Sequence, residues 1–192
     1  YEITHVRELY GKAYDSRTDA NKRRLIRQFA RYADRIYALN PDLLNVLPSR
    51  ARFLPYANAE LRAGWRTAGG TRGPAGRLRL VHAPTNRAVK GTRHVLEAVA
   101  RLKDVDRLDV DLELVEGLTR EAAREMYAQA DLAIDQLLAG WYGGLAVECM
   151  ALGKPVVCYL REEDLKHLPP EMRAELPLIR ACLLYTSDAA DE

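Results

Sequence analysis

Two short segments place chemically useful side chains just ahead of predicted helices. The first, Ala83-Pro-Thr-Asn-Arg-Ala-Val-Lys-Gly91, delivers Arg87 and Lys90. A helix start presents N–H groups without intrahelical partners and a partial positive charge, so two cations beside it suit a diphosphate. Arg can grip two oxygens at once, whereas Lys supplies a mobile point charge. Two solvated surface cations are the alternative. The second segment, Gly140-Trp-Tyr-Gly-Gly144, precedes a helix carrying Glu148. Gly143 and Gly144 let a ligand approach the backbone and permit positive φ. Glu148 follows about one helical turn later, where its carboxylate can face the same crevice and accept from ribose hydroxyls. A flexible turn with Glu148 in a surface salt bridge is the competing reading. His82, at a predicted strand end, is a candidate acid or base, with a hydrogen-bonded structural role as its alternative.

These segments need a frame that brings them together. Leu78–His82, Val110–Val115, Asp131–Leu137 and Val156–Leu160 read as strands. Between them Thr92–Lys103, Thr119–Ala130 and Leu145–Leu152 read as helices, with Val95, Leu96, Val99 and Leu102 inward on the first. Strands alternating with helices imply right-handed crossovers and an α/β fold built on a doubly wound parallel sheet. Ligands of such sheets sit outside the carboxyl ends of the strands. The loops expected there are Ala83–Gly91, Glu116–Leu118 and Leu138–Gly144. Upstream, a helix from Thr18 or Asp19 to Ala33, a strand Arg35–Leu39, a helix opened by Asn40-Pro41 and an extended piece Arg52–Tyr56 form a separate group. Glycines at 64, 69, 70, 73 and 76 mark the stretch between as a linker.

Composition narrows the class. Hydrophobic residues make up 48% of 192, enough for a packed core, and the formal net charge of +2 gives no global pull toward nucleic acid or membrane. A nucleic-acid module fits poorly. Cys149, Cys158 and Cys182 show neither a disulfide framework nor a zinc spacing, which favours a reducing cytoplasmic setting. Cys149 and Cys158 sit in apolar strings and read as core. No apolar run approaches the roughly 20 residues that span a bilayer. Lys22, Arg23, Arg24, Arg27 and Arg31 spread around one helix as a solvated face, with peripheral contact to anionic lipid as the minority reading.

The run Gly140-Trp-Tyr-Gly-Gly-Leu-Ala-Val-Glu-Cys-Met-Ala-Leu-Gly-Lys-Pro-Val-Val157 resembles the donor-site signature of the retaining glycosyltransferase group 1 family, which has the two-lobed GT-B architecture. Tyr142-Gly143 matches its aromatic-Gly turn, Glu148 its second Glu, and Met150-Ala151, Gly153, Pro155 and Val156-Val157 the remainder. Lys90-Gly91 is similar to the family's Lys-Gly at its first helix, and Ala33–Leu44 resembles the last strand and helix of its acceptor-side lobe. The resemblance implies residues 1–57 as the end of the N-terminal lobe, 58–76 as linker, and 77–181 as an incomplete, Rossmann-like donor lobe. It implies that Lys90 binds the donor diphosphate, with Arg87 a substitute for the family's Arg from a shifted place, that Glu148 binds the ribose, and that the backbone at Gly143 and Gly144 contacts the distal phosphate. Two positions depart from the pattern: Thr85 stands where the family has Arg, and Gly140 where it has its first acid, which holds the donor sugar. Asp135, at a strand end, can fill that gap or simply bond loop N–H groups. Trp141 lines a sugar pocket or packs.

The expectation is a transferase moving a sugar from a nucleoside-diphosphate donor to a sugar, lipid or small-molecule acceptor. No cofactor other than the donor substrate is expected, and no metal. A GT-B-fold epimerase or phosphorylase, and a non-catalytic nucleotide-binding α/β domain, stay open as rivals. Cys182-Leu-Leu-Tyr-Thr-Ser-Asp-Ala-Ala-Asp-Glu192 resembles a translated sequencing-adapter frame. The chain is therefore expected to be a fragment whose natural sequence stops near Ala181, with little activity by itself.

Overall fold

The computed structural model describes residues 17–55 and 76–181. The expected linker lies outside these residues except for Gly76, and the tail 182–192 lies outside them altogether.

The upstream group contains helix α1 (Arg17–Ala30), strand β1 (Tyr37–Ala38), a 3-10 turn (Pro41–Asn45) and strand β2 (Arg52–Phe53). Strands β1 and β2 pair in parallel, Tyr37 opposite Arg52. Asn40 precedes the 3-10 turn but makes no capping bond through its side chain, and the expected helix closes after five residues.

The main body runs β3 (Leu78–His82), α2 (Arg87–Lys90), α3 (Thr92–Asp104), β4 (Val110–Leu114), α4 (Arg120–Gln129), β5 (Leu132–Ile134), α5 (Gly144–Ala151) and β6 (Val156–Tyr159). A 3-10 turn (Glu162–His167), helix α6 (Pro170–Ala174) and strand β7 (Ile179–Ala181) follow. The five strands form one parallel sheet in the order β4-β3-β5-β6-β7. The fold is thus α/β, a parallel sheet flanked by helices and compatible with a Rossmann-like class. Among the described residues, no helix is long and apolar enough to cross a membrane.

Alternation along the strands feeds a core on each face of the sheet. Leu80 packs with Val95, Val99 and Val110, which seats α3 on one face. Val81, Ala133, Val156 and Cys158 pack with Ala123, Tyr127, Ala146 and Cys149, which seats α4 and α5 on the other. Leu96 is not inward as expected but 44% exposed, because Val95, Val99 and Leu102 already define the buried stripe and Leu96 turns about 100° away from Val95. Thr119 caps α4 by accepting from Ala122 N at 3.3 Å. Strand β5 is shorter than expected. Past Ile134 the pairing with β6 continues through Asp135 N to Val157 O and Tyr159 N to Gln136 O (both 2.9 Å) before the chain turns into the loop that carries the site.

Candidate functional site

The strand order reverses at β3. From there the chain moves outward to β4, returns, and lays β5 on the other side of β3. Loops leaving the carboxyl ends of β3 and β5 therefore diverge around a crevice, the usual binding place in open parallel sheets. Residues 83–91 and 135–143 are those two loops, and they are fastened together at two points. Leu137 N donates to Lys90 O at 3.1 Å. Gly91, at φ +75°, ends α2 and opens α3, and a Cβ there would lie 3.1 Å from Leu138 Cγ and 3.3 Å from Leu137 Cβ. Asn86 caps α2 by accepting from Val89 N at 3.1 Å, which orients the turn that ends in Lys90.

The result is a buried ion pair. Lys90 Nζ donates to Asp135 Oδ1 at 3.0 Å; the Lys90 side chain is 13% exposed and that of Asp135 is 0%. The other carboxylate oxygen, Oδ2, accepts from Gly143 N, the residue that opens α5. A Cβ on Gly143 would stand 2.8 Å from Lys90 Nζ and 3.4 Å from both Asp135 oxygens. Gly143 has φ −108°, so a side chain there would meet no backbone strain and would crowd only the mobile end of Lys90. The positive φ of the segment belongs to Gly140, at +73°. Gln136 steadies the loop: its amide donates to Trp141 O, and its carbonyl accepts from Tyr159 N at 2.9 Å.

The remaining candidates take separate partners. Arg87 points toward the β4 end, where its guanidinium holds both oxygens of Glu116, Nε to Oε1 at 2.9 Å. That pairing holds the Glu116 carboxyl below its ordinary range. Arg87 and Lys90 thus lead to opposite sides of the loop instead of converging. Glu148, in the second turn of α5, accepts from Arg120 Nε and Nη2 at 3.2 and 3.1 Å, where α4 begins. Gly144 is the first residue of α5, its N–H among those that precede the intrahelical ladder.

His82 is fully buried. Its Nδ1 lies 2.7 Å from Ile134 O and its Nε2 2.9 Å from Thr92 Oγ1. A carbonyl only accepts, so Nδ1 carries the proton and Nε2 accepts from the Thr92 hydroxyl. Burial pushes the imidazole below its ordinary pKa, so it is held neutral, tying β5 and α3 to β3. Trp141 is 1% exposed and meets the Phe53 ring edge-on, centroids 5.8 Å apart, which makes it a packing residue. Cys149 and Cys158 are buried free thiols, with burial raising Cys149 to about 12.

Sequence reasoning named Lys90, Asp135, Gly143, Gly144 and Glu148 but missed Glu116, Arg120, Thr92 and Gln136. Each of these is an ordinary polar residue at the end of an element, where nothing in its type or spacing distinguishes it. A scan of the chain against protein-family models matches none, and no curated protein matches it.

Proposed function

We propose that this chain is the donor-binding part of a GT-B glycosyltransferase whose parent transfers a sugar from a nucleoside-diphosphate donor. The observation that carries this reading is the convergence of Lys90, Asp135 and Gly143 where the strand order reverses. Glu148 follows within the same helix that Gly143 opens. The resemblance of residues 140–157 and of Lys90-Gly91 to the group 1 signature supports the assignment of roles. Lys90 has three N–H donors, and the bond to Asp135 uses one. A phosphate oxygen at the crevice mouth would draw the ammonium on its mobile stem toward itself. As the glycosidic bond breaks, the leaving diphosphate gathers charge, and a cation held beside a helix start stabilises that charge without rearranging. Glu148 would take ribose hydroxyls by exchanging its exposed partner Arg120 for them.

Calorimetric titration of the chain with UDP, GDP and ADP tests this reading. One nucleotide should bind, with affinity falling at least about tenfold in Lys90→Ala and several-fold in Glu148→Ala, in the range of charge-assisted bonds. Equal affinity for all three nucleotides and for inorganic phosphate would favour a second reading, a non-catalytic α/β domain. One observation speaks for that rival: Arg87, Lys90 and Glu148 all have partners within the protein.

A further inference from the structure

Asp135 is the fully buried acid of the crevice, and its two oxygens occupy the two groups assigned above to the ligand's phosphate, the Lys90 ammonium and the Gly143 N–H. We propose that Asp135 is a built-in anion that holds the phosphate subsite, so that a ligand must compete with this carboxylate for Lys90. The proposal rests on the donor-site reading and adds regulation of that site to it.

Three features carry it. The first is stoichiometry: Lys90 and Asp135 cancel, so an arriving diphosphate meets a neutral pair with a buried carboxylate on its far side. Like charges that close repel strongly where water is excluded. Second, the carboxylate is fixed. It is fully buried with its oxygens on Lys90 and Gly143 N, and its backbone is tied by Asp135 N to Val157 O and Leu137 N to Lys90 O. Lys90, on a flexible four-carbon stem and partly exposed, is the member able to turn toward a ligand. Third, the fit is close. A Cβ at 143 would stand 2.8 Å from the ammonium, so a larger residue there would displace the mobile end of Lys90 while leaving the carboxylate oxygens at ordinary contact, 3.4 Å. The other two candidate pairs differ in kind, since Arg87 is 58% and Arg120 44% exposed and water already screens them.

The test measures pyrophosphate affinity by calorimetry at low and high salt for the wild-type chain, Asp135→Asn and Lys90→Ala/Asp135→Asn. The Asn side chain keeps an oxygen to accept from Gly143 N but removes the charge. Asp135→Asn should bind pyrophosphate on the order of tenfold more tightly than wild type, a typical coupling between sites. The gain should shrink with added salt and vanish in the double variant. Equal, weaker or no binding by Asp135→Asn with unchanged circular dichroism and thermal midpoint overturns the proposal and leaves Asp135 as a positioning residue for Lys90. Should that variant fail to fold, wild-type amide NMR decides: pyrophosphate must shift the Gly143 N–H, and an unmoved Gly143 signal at saturation sinks the idea. UDP, GDP and ADP, run in parallel, separate this from the donor-site reading. Tighter pyrophosphate binding without any nucleotide preference keeps the competition and rejects the donor site. Nucleotide binding that Asp135→Asn leaves unchanged does the reverse.

Discussion

Gly140 holds φ +73° with Arg161 Cβ 3.0 Å from where its own side chain would begin, while Gly143 has ordinary dihedrals and lies under the mobile end of Lys90. The distinction bears on the sugar contact. Position 140 is where the resembling family carries an acid, and here the backbone itself resists one. A left-handed conformation costs a side-chain-bearing residue about 1–2 kcal/mol, and the Arg161 methylene must also give way. Gly140→Glu should therefore lower stability in urea unfolding by about 1–2 kcal/mol or more. A neutral or stabilising result would show that the turn relaxes easily and that the missing acid is a matter of sequence alone. Asp135 is the acid of this loop, but it is fully buried against Lys90 and Gly143, so a sugar contact through it would have to open that packing.

Elements in the main body were legible where local chemistry sets their limits. Thr119 caps α4, Gly153 at φ +71° follows α5, and Pro155 precedes β6, and the sequence marks all three. The contact of Lys90 with Asp135 was not legible. The two lie 45 positions apart and meet only because the strand order reverses at β3, which no local pattern encodes. Strand β7 and helix α6 also went unread, being short elements of three and five residues set among prolines and charges. His82 shows how an element junction hides in plain sequence: its ring joins β3 to β5 and to the first residue of α3. Thr92→Val keeps the shape of that residue but removes the hydroxyl donor, leaving Nε2 buried and without a partner. Such a group costs about 1–3 kcal/mol, so chemical unfolding should show a loss of that size. A loss below about 0.5 kcal/mol would mean that the bond is not maintained in solution.

At the scale of the whole molecule, Phe53 and Asn45 are among the residues that join the upstream group to the main body. Phe53 of β2 meets Trp141 in the crevice loop, and Asn45 bridges to the turn that follows β6. Asn45 donates to Asp164 Oδ1 at 3.0 Å and accepts from His167 Nε2 at 3.0 Å. Beside this bridge lies Asp42, 5% exposed, with both carboxyl oxygens buried and, among the described residues, without hydrogen-bond partners. Burial, and then the charge of Asp164, raise its pKa above the ordinary 3.8. For an acid whose folded pKa exceeds its unfolded one, the folded state holds the proton more tightly. Stability from Asp42 is thus full below about pH 3.8 and is lost as pH rises through the folded value. His82 acts in the opposite sense. Its folded pKa lies below 6.5, so its contribution is full above that pH and is lost as pH falls through the folded value. The two groups act in opposite senses, and a single-residue difference isolates either. Asp42→Asn supplies a neutral side chain of the same shape at every pH. It should be more stable than wild type at pH 7 by about 1–3 kcal/mol, the cost of an unsatisfied buried group. The advantage should fade toward pH 4, where the wild-type carboxyl is increasingly protonated. Thermal midpoints of both chains across that range provide the check. An advantage independent of pH would place its origin in packing, and a destabilised Asp42→Asn at pH 7 would mean that the carboxylate is charged and stabilised between the two groups.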